Sequence, residues 1–174
     1  MSRPRTKPTP PAAPPTQASE AQVRQALASA RAHCTARGAQ LTDLRAQVLA
    51  LLLRRDQATK AYELLADMQA HQPGVAPMTV YRALDFLVEQ ELVHKVDATS
   101  SFLVCHHDHS HGHHHHAPVL LVCESCGSTT EWDDADASRQ LAPPGFHVHA
   151  TEIKGECADC AQKVHEKSHP KVAS

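Results

Sequence analysis

The stretch MTVYRALDFLVEQELVHKVDATSSFLVC, Met78 to Cys105, decides the fold. Its first half places Val80, Leu84, Leu87 and Val88 at helical spacing, so they form one buried stripe. The opposite face presents Met78, Arg82, Asp85 and Glu89, with Thr79 and Tyr81 flanking it in the first turn. The second half changes period: LVHKV and SFLVC are short β-branched runs joined by DATS, which predicts a hairpin. A short connector, GVAP, leads into the helix.

Upstream, the helical period continues in three segments. TKAYELLADMQAHQP predicts a helix that starts at a capping Thr59 and stops before Pro73. LTDLRAQVLALLLRRD predicts another, with Thr42 as N-cap and Leu44, Val48, Leu51 and Leu52 facing inward. EAQVRQALASARAHCTARG aligns Val23, Ala26, Leu27, Ala30 and Cys34 on one face and ends at Gly38. Cys34 on that stripe reads as a small core residue and not as a ligand. Three helices followed by a hairpin make the winged-helix arrangement, a relative of the helix-turn-helix.

A helix whose exposed face begins with Thr79, Tyr81 and Arg82 suits the DNA major groove. Arginine bonds guanine O6 and N7 in a bidentate way, and a helix amino terminus favours phosphate. Lys60, Arg45 and Lys95 are the candidates to neutralise backbone phosphates. A solvated polar helix face is the alternative, and Arg82 alone does not exceed it. The charge balance along the chain points to a polyanion: residues 1–95 carry 12 Lys/Arg against 8 Asp/Glu, whereas residues 96–174 carry 5 against 11.

Downstream, APVLLVCESCG, STTEW and HVHATEI read as strands of a second domain, with a short helix from about Asp134 to Leu141 stopped by Pro143-Pro144. Two Cys-x-x-Cys pairs, Cys123/Cys126 and Cys157/Cys160, stand thirty residues apart. Four thiolates form a soft tetrahedral set that suits Zn²⁺ at about 2.3 Å per bond, and a set with no open position is structural in character. Between the halves lie eight histidines within residues 106–116. The amino-terminal MSRPRTKPTPPAAPPTQ is Pro-rich and basic, a solvated arm. No signal-peptide-like stretch and no run of about 18 apolar residues occurs, so the expected compartment is the reducing cytoplasm, where paired cysteines hold metal.

PMTVYRALDFLVEQELVHKVDATSSFLVCH resembles the DNA-binding region of the ferric uptake regulator superfamily, most closely its zinc uptake regulator branch. TVYRALDFL, HKV and the two Cys-x-x-Cys pairs carry the resemblance together, over roughly residues 20–160. It implies an α+β chain. The winged-helix DNA-binding domain would occupy 19–105, a His-rich hinge 106–116, and a small α/β dimerisation domain with the Cys₄ zinc site 117–165. A disordered arm (1–18) and tail (166–174) would flank them.

The resemblance further implies a zinc-responsive repressor that binds a palindromic, AT-rich operator as a zinc-loaded homodimer and represses zinc-uptake genes. No membrane and no small-molecule substrate enter that reading. The branch has a histidine seven residues before the first paired Cys and a glutamate five after the second, here His116 and Glu131. With the His of HKV and the Cys closing the wing, the implied regulatory zinc set is His94, Cys105, His116 and Glu131. Two neutral imidazoles, one thiolate and one carboxylate cancel the ion's two charges, which suits an exchangeable site.

Iron-sensing relatives carry His-His-Asp-His close to the first paired Cys, where this chain has Pro118, Val119 and Leu120; HHDH at 106–109 is therefore a decoy. His106, His107, His109, His111 and His113 either gather a third zinc ion or belong to a flexible polar loop, and His114 or His115 could replace His116. His147, His149 and Glu152 form either an accessory site or one polar face of a strand. No Ser/His/Asp set or phosphate loop suggests an enzyme. The competing readings are another metal-sensing relative or a zinc-buffering metallochaperone; a buffer has no need of Thr79, Tyr81 and Arg82 on an exposed helix.

Overall fold

The computed structural model describes residues 18–55, 57–106, 117–132, 143, 145, 146, 148 and 150–168, with side chains through 163. Helix α1 spans Glu20–Ala36. Ser19 opens it through a capping box: its hydroxyl accepts the Gln22 N–H while the Gln22 side chain accepts the Ser19 N–H at 2.8 Å. Gly38, at φ 69°, turns the chain out of the helix, as a left-handed cap requires. Helix α2 is Asp43–Arg55 and α3 is Ala61–His71. Helix α4, Pro77–Glu89, begins with a proline whose missing N–H costs nothing at that position.

The expected stripe of α4 is buried at Val80, Leu84 and Leu87, and Ala83 and Phe86 join it, while Val88 packs at its edge. Val48, Leu49, Leu52, Leu64 and Cys34 fill the space between the helices. Cys34 is fully enclosed, and burial pushes its thiol pKa up, consistent with a small core residue.

Strands β2 (Val93–Val96) and β3 (Ser101–Val104) form the hairpin, pairing Val93 with Val104 and Val96 with Ser101 around the DATS turn. Thr59 behaves differently from its expected role as a cap. It belongs to a two-residue strand, β1 (Thr59–Lys60), that pairs with β3 through Phe102 and gives the order β1-β3-β2. A β-branched residue with a buried side chain suits a strand better than a helix end. The Glu63 carboxylate takes over the capping, accepting the Lys60 N–H at 2.9 Å.

The second sheet has the order β5-β4-β6, with β4 Val119–Cys123, β5 Thr129–Trp132 and β6 Thr151–Gly155. Strand β4 is antiparallel to β5 and parallel to β6. Flanked on both edges, it reads as an unbroken apolar run. Helix α5, Ala158–Ser168, follows and runs three residues into the stretch expected as tail. The helix expected near 134–141 lies outside the described residues. Val96 and Leu103 of the wing bury against Leu120 and Val122 of β4, so the two sheets meet face to face. The result is an α+β chain: a winged-helix domain preceded by α1, then a small sheet-and-helix domain.

Candidate metal centres and nucleic-acid interface

The second sheet ends where its cysteines converge. Cys123 closes β4, Gly127 turns the chain back at φ 75°, and the Gly127 N–H donates to the Cys123 carbonyl at 2.8 Å. Cys157 precedes α5 and Cys160 sits in its first turn. All four sulfurs lie within 4.8 Å of one another, with Cys126 and Cys157 at 3.9 Å. Tetrahedral zinc with bonds of about 2.3 Å would separate its sulfurs by roughly 3.8 Å.

The electrostatics fit a dication. The backbone N–H groups of Cys157 and Cys126 hold the Cys123 thiol down at about 6. The Ser128 hydroxyl and backbone lower Cys126. Cys160 is pushed up to about 12, first by Cys157, then by burial and the other sulfurs. Without a cation the cluster cannot ionise fully; with one, all four thiolates are accommodated.

A second cluster lies at the junction of the two sheets. His94 is on β2, Cys105 directly follows β3, and Glu131 is on β5; one ligand atom from each falls within a common 4.8 Å. Strand geometry explains the convergence. His94 pairs across the hairpin with Leu103, and Cys105 is two residues further along, so all three face the second sheet. Glu131 pairs with Leu120, which faces back toward the wing.

The cluster is enclosed: the His94 side chain is 13% exposed and that of Glu131 5%. His94 Nε2 approaches Glu131 Oε1 to 3.2 Å without the angular geometry of a hydrogen bond, while Glu131 Oε2 accepts the His106 N–H at 3.3 Å. A buried nitrogen and oxygen and a half-buried sulfur brought to one point fit a divalent transition metal. His116, the fourth ligand implied by sequence, lies outside the described residues, as do His107, His109, His111 and His113. His106 is described and exposed, and it meets the cluster through its backbone.

The exposed face of α4 holds Tyr81 and Arg82, with Thr79 half-buried beside them. No side chain caps this helix; Pro77 has no N–H to offer, and the Thr79 N–H donates to the Ala76 carbonyl at 3.0 Å. Lys60 is exposed nearby in sequence, its ammonium 6.0 Å from the Tyr62 ring. Tyr62 is 63% exposed, an aromatic on a polar surface that the helical period alone did not single out. Two expected phosphate partners are engaged within the chain. Arg45 stacks its guanidinium 3.5 Å over Phe86 and donates to the Gln40 carbonyl at 2.7 Å. Lys95 pairs with Asp97 at 2.7 Å.

Residues 36–156 match the model of the Ferric uptake regulator family. The chain belongs to that family. Within it, the chain is similar to the zinc uptake regulation protein of Escherichia coli (strain K12), at 36% identity over 155 residues covering 85% of this chain and 88% of the relative. A zinc uptake regulator solved in complex with zinc and DNA superposes with a TM-score of 0.69 at 36% identity, covering 82% of this chain and 97% of that one. The crystal structure of holo XcZur gives 0.64 at 39% identity over 78% and 96% of the two chains. This ferric uptake regulator family member therefore resembles the zinc-named branch in sequence and in fold.

Proposed function

We propose that this chain is a zinc-responsive transcriptional repressor, not an enzyme, and that it binds palindromic operator DNA as a zinc-loaded homodimer and represses zinc-uptake genes. One observation carries the reading. His94, Cys105 and Glu131, drawn from the wing, the end of the wing and the second sheet, converge in one enclosed cluster at the domain junction. In this reading residues 19–105 bind DNA, 106–116 form the hinge and supply His116, and 117–165 dimerise, all in the cytoplasm.

A zinc ion held there supplies coordinate bonds that span the junction. The protein's own groups do the rest. His94 and Cys105 carry the wing, and with it α4; Glu131 carries the second sheet. Holding them together sets the angle between the domains, and in a dimer that angle sets the separation of two α4 helices. Half-sites on DNA lie about one helical turn apart, so only one arrangement reads both. Thr79, Tyr81 and Arg82 would meet base edges, and Lys60 a phosphate. Cys123, Cys126, Cys157 and Cys160 would hold a second, structural zinc.

The sheet face turned away from the wing suits a second copy. Leu121, Trp132 and Ile153 share it by register and remain 38%, 42% and 39% exposed. An apolar patch of this kind is favourable when an identical patch covers it in a two-fold dimer.

The deciding experiment is a titration of buffered free zinc against binding to an AT-rich palindromic duplex, with ferrous iron, manganese and nickel as comparisons. Binding that saturates with zinc at the lowest free-metal concentration is expected. Binding indifferent to zinc, or tightest with ferrous iron, overturns the reading.

A further inference from the structure

Glu131, Leu120 and Glu152 form one row across the second sheet, because Leu120 pairs with Glu131 on β5 and with Glu152 on β6. Residues opposite one another in a sheet leave the same face, and this face meets the wing. Leu120 and Val122 press on Val96 and Leu103 in the middle. On one flank Glu131 reaches His94.

On the other flank, Glu152 grips the turn of the wing. Its Oε1 accepts the Asp97 N–H at 2.6 Å and its Oε2 accepts the Ala98 N–H at 3.0 Å. Both are charge-assisted bonds to backbone more than fifty residues away in sequence. The Asp97 carboxylate turns to Lys95 at 2.7 Å, which offsets its repulsion of Glu152. Neighbouring strands stand about 4.8 Å apart, so the two carboxylates hold the wing at points about 10 Å apart. A single anchor leaves rotation about itself, whereas two anchors with an apolar contact between them remove it.

We propose that Glu152 is a metal-independent positioning residue that fixes the wing's angle from the flank opposite the His94–Cys105–Glu131 cluster, and so sets how tightly that cluster holds zinc. The zinc half deepens the regulatory reading and rests on it; the latch itself does not. Both oxygens of Glu152 meet backbone donors of the wing turn and neither belongs to the His94–Cys105–Glu131 cluster, so this grip does not need an ion. By linkage, whatever Glu152 contributes to that arrangement appears in the affinity of any ligand that requires it.

The test uses the full chain, wild type, Glu152→Gln and Glu152→Ala, each with only the Cys₄ site filled and then with both sites filled by zinc. Amide exchange resolved by residue follows Asp97 and Ala98, with Val80 and Leu84 of α4 as folding controls. Chelator competition measures the zinc affinity of each site. In Glu152→Ala the two turn amides exchange at least about tenfold faster in both states, with α4 unchanged. Glu152→Gln, with one acceptor oxygen in place of two, lies between. Zinc affinity at the junction falls about three- to tenfold, while the Cys₄ site is unaffected. Unchanged exchange at Asp97 and Ala98 overturns the latch. Faster exchange with unchanged junction affinity overturns the coupling. A wild-type junction that takes no zinc refutes the regulatory reading and the coupling with it, and the exchange rates still decide the latch.

Discussion

Replacing Glu131 with Gln tests whether the junction is built for a cation. The substitution keeps shape and removes one negative charge from a side chain that is 5% exposed. Two unit charges 4 Å apart at an effective dielectric of 20 attract by about 4 kcal/mol, and a dication at bonding distance is attracted more strongly. The burial cost of the carboxylate is common to the metal-free and zinc-loaded folded chain and cancels from the affinity, while the Gln amide oxygen keeps part of the attraction. The part lost is about 3 kcal/mol, or roughly a hundredfold weaker zinc binding at 1.4 kcal/mol per decade.

The metal-free protein should respond in the opposite sense. Gln removes a charge from this buried position and keeps an oxygen to accept the His106 N–H, so metal-free Tm stays level or rises. Zinc affinity by chelator competition, zinc content per chain and thermal unfolding with only the Cys₄ site filled together check both halves. The free-zinc concentration at half-maximal DNA binding should rise roughly a hundredfold while the Cys₄ ion is retained. A Glu131→Gln protein with an unshifted zinc threshold removes Glu131 from the regulatory site. A protein that instead unfolds without added metal shows the carboxylate to be structural.

Arg45 and Lys60 should separate cleanly. Arg45→Ala loses stacking on Phe86 and destabilises by about 1 kcal/mol, with no change in the salt dependence of DNA binding, whereas Lys60→Ala leaves Tm unchanged and reduces the slope of log K against log salt by about 1. Arg82→Ala should weaken DNA binding by about 1–3 kcal/mol at fixed salt with the fold intact; equal affinity would deny it a reading role. Cys157→Ala opens the four-sulfur cluster, so zinc content should fall by one ion per chain and the second sheet should lose stability, measured by unfolding in the presence and absence of chelator.

The winged helix was legible because two periods meet without ambiguity: a stripe every three or four residues through Leu87, then strands of four residues on either side of DATS. Cys34 was legible for the same reason, since a cysteine on an apolar stripe packs as an apolar residue. Thr59 was misread because a Thr before a helical run signals a cap and a strand equally well; only the partner, Phe102, distinguishes them, and it lies far away in sequence. Helix α5 went unread because Cys157 and Cys160 read as zinc ligands, and only Ala161 and Val164 extend their helical spacing. Arg45 was legible as a charge, whereas the aromatic face of Phe86 beneath its guanidinium was not.

Glu131 and Glu152 show where pattern stops and register begins. Neither lies in a motif that spacing alone marks; Glu131 was singled out through resemblance, and Glu152 only as one member of an undecided histidine group. What gives them distinct roles is a single fact of pairing: both oppose Leu120. A one-residue slip of either strand would turn its carboxylate to the far face, among Leu121, Trp132 and Ile153. The junction therefore depends on sheet register as well as on the identity of its side chains. A slip of β5 alone would remove Glu131 from His94 while leaving the wing turn bonded to Glu152, and a slip of β6 would do the reverse. The two grips on the wing thus rest on separate strand pairings, and losing one register leaves the other grip in place.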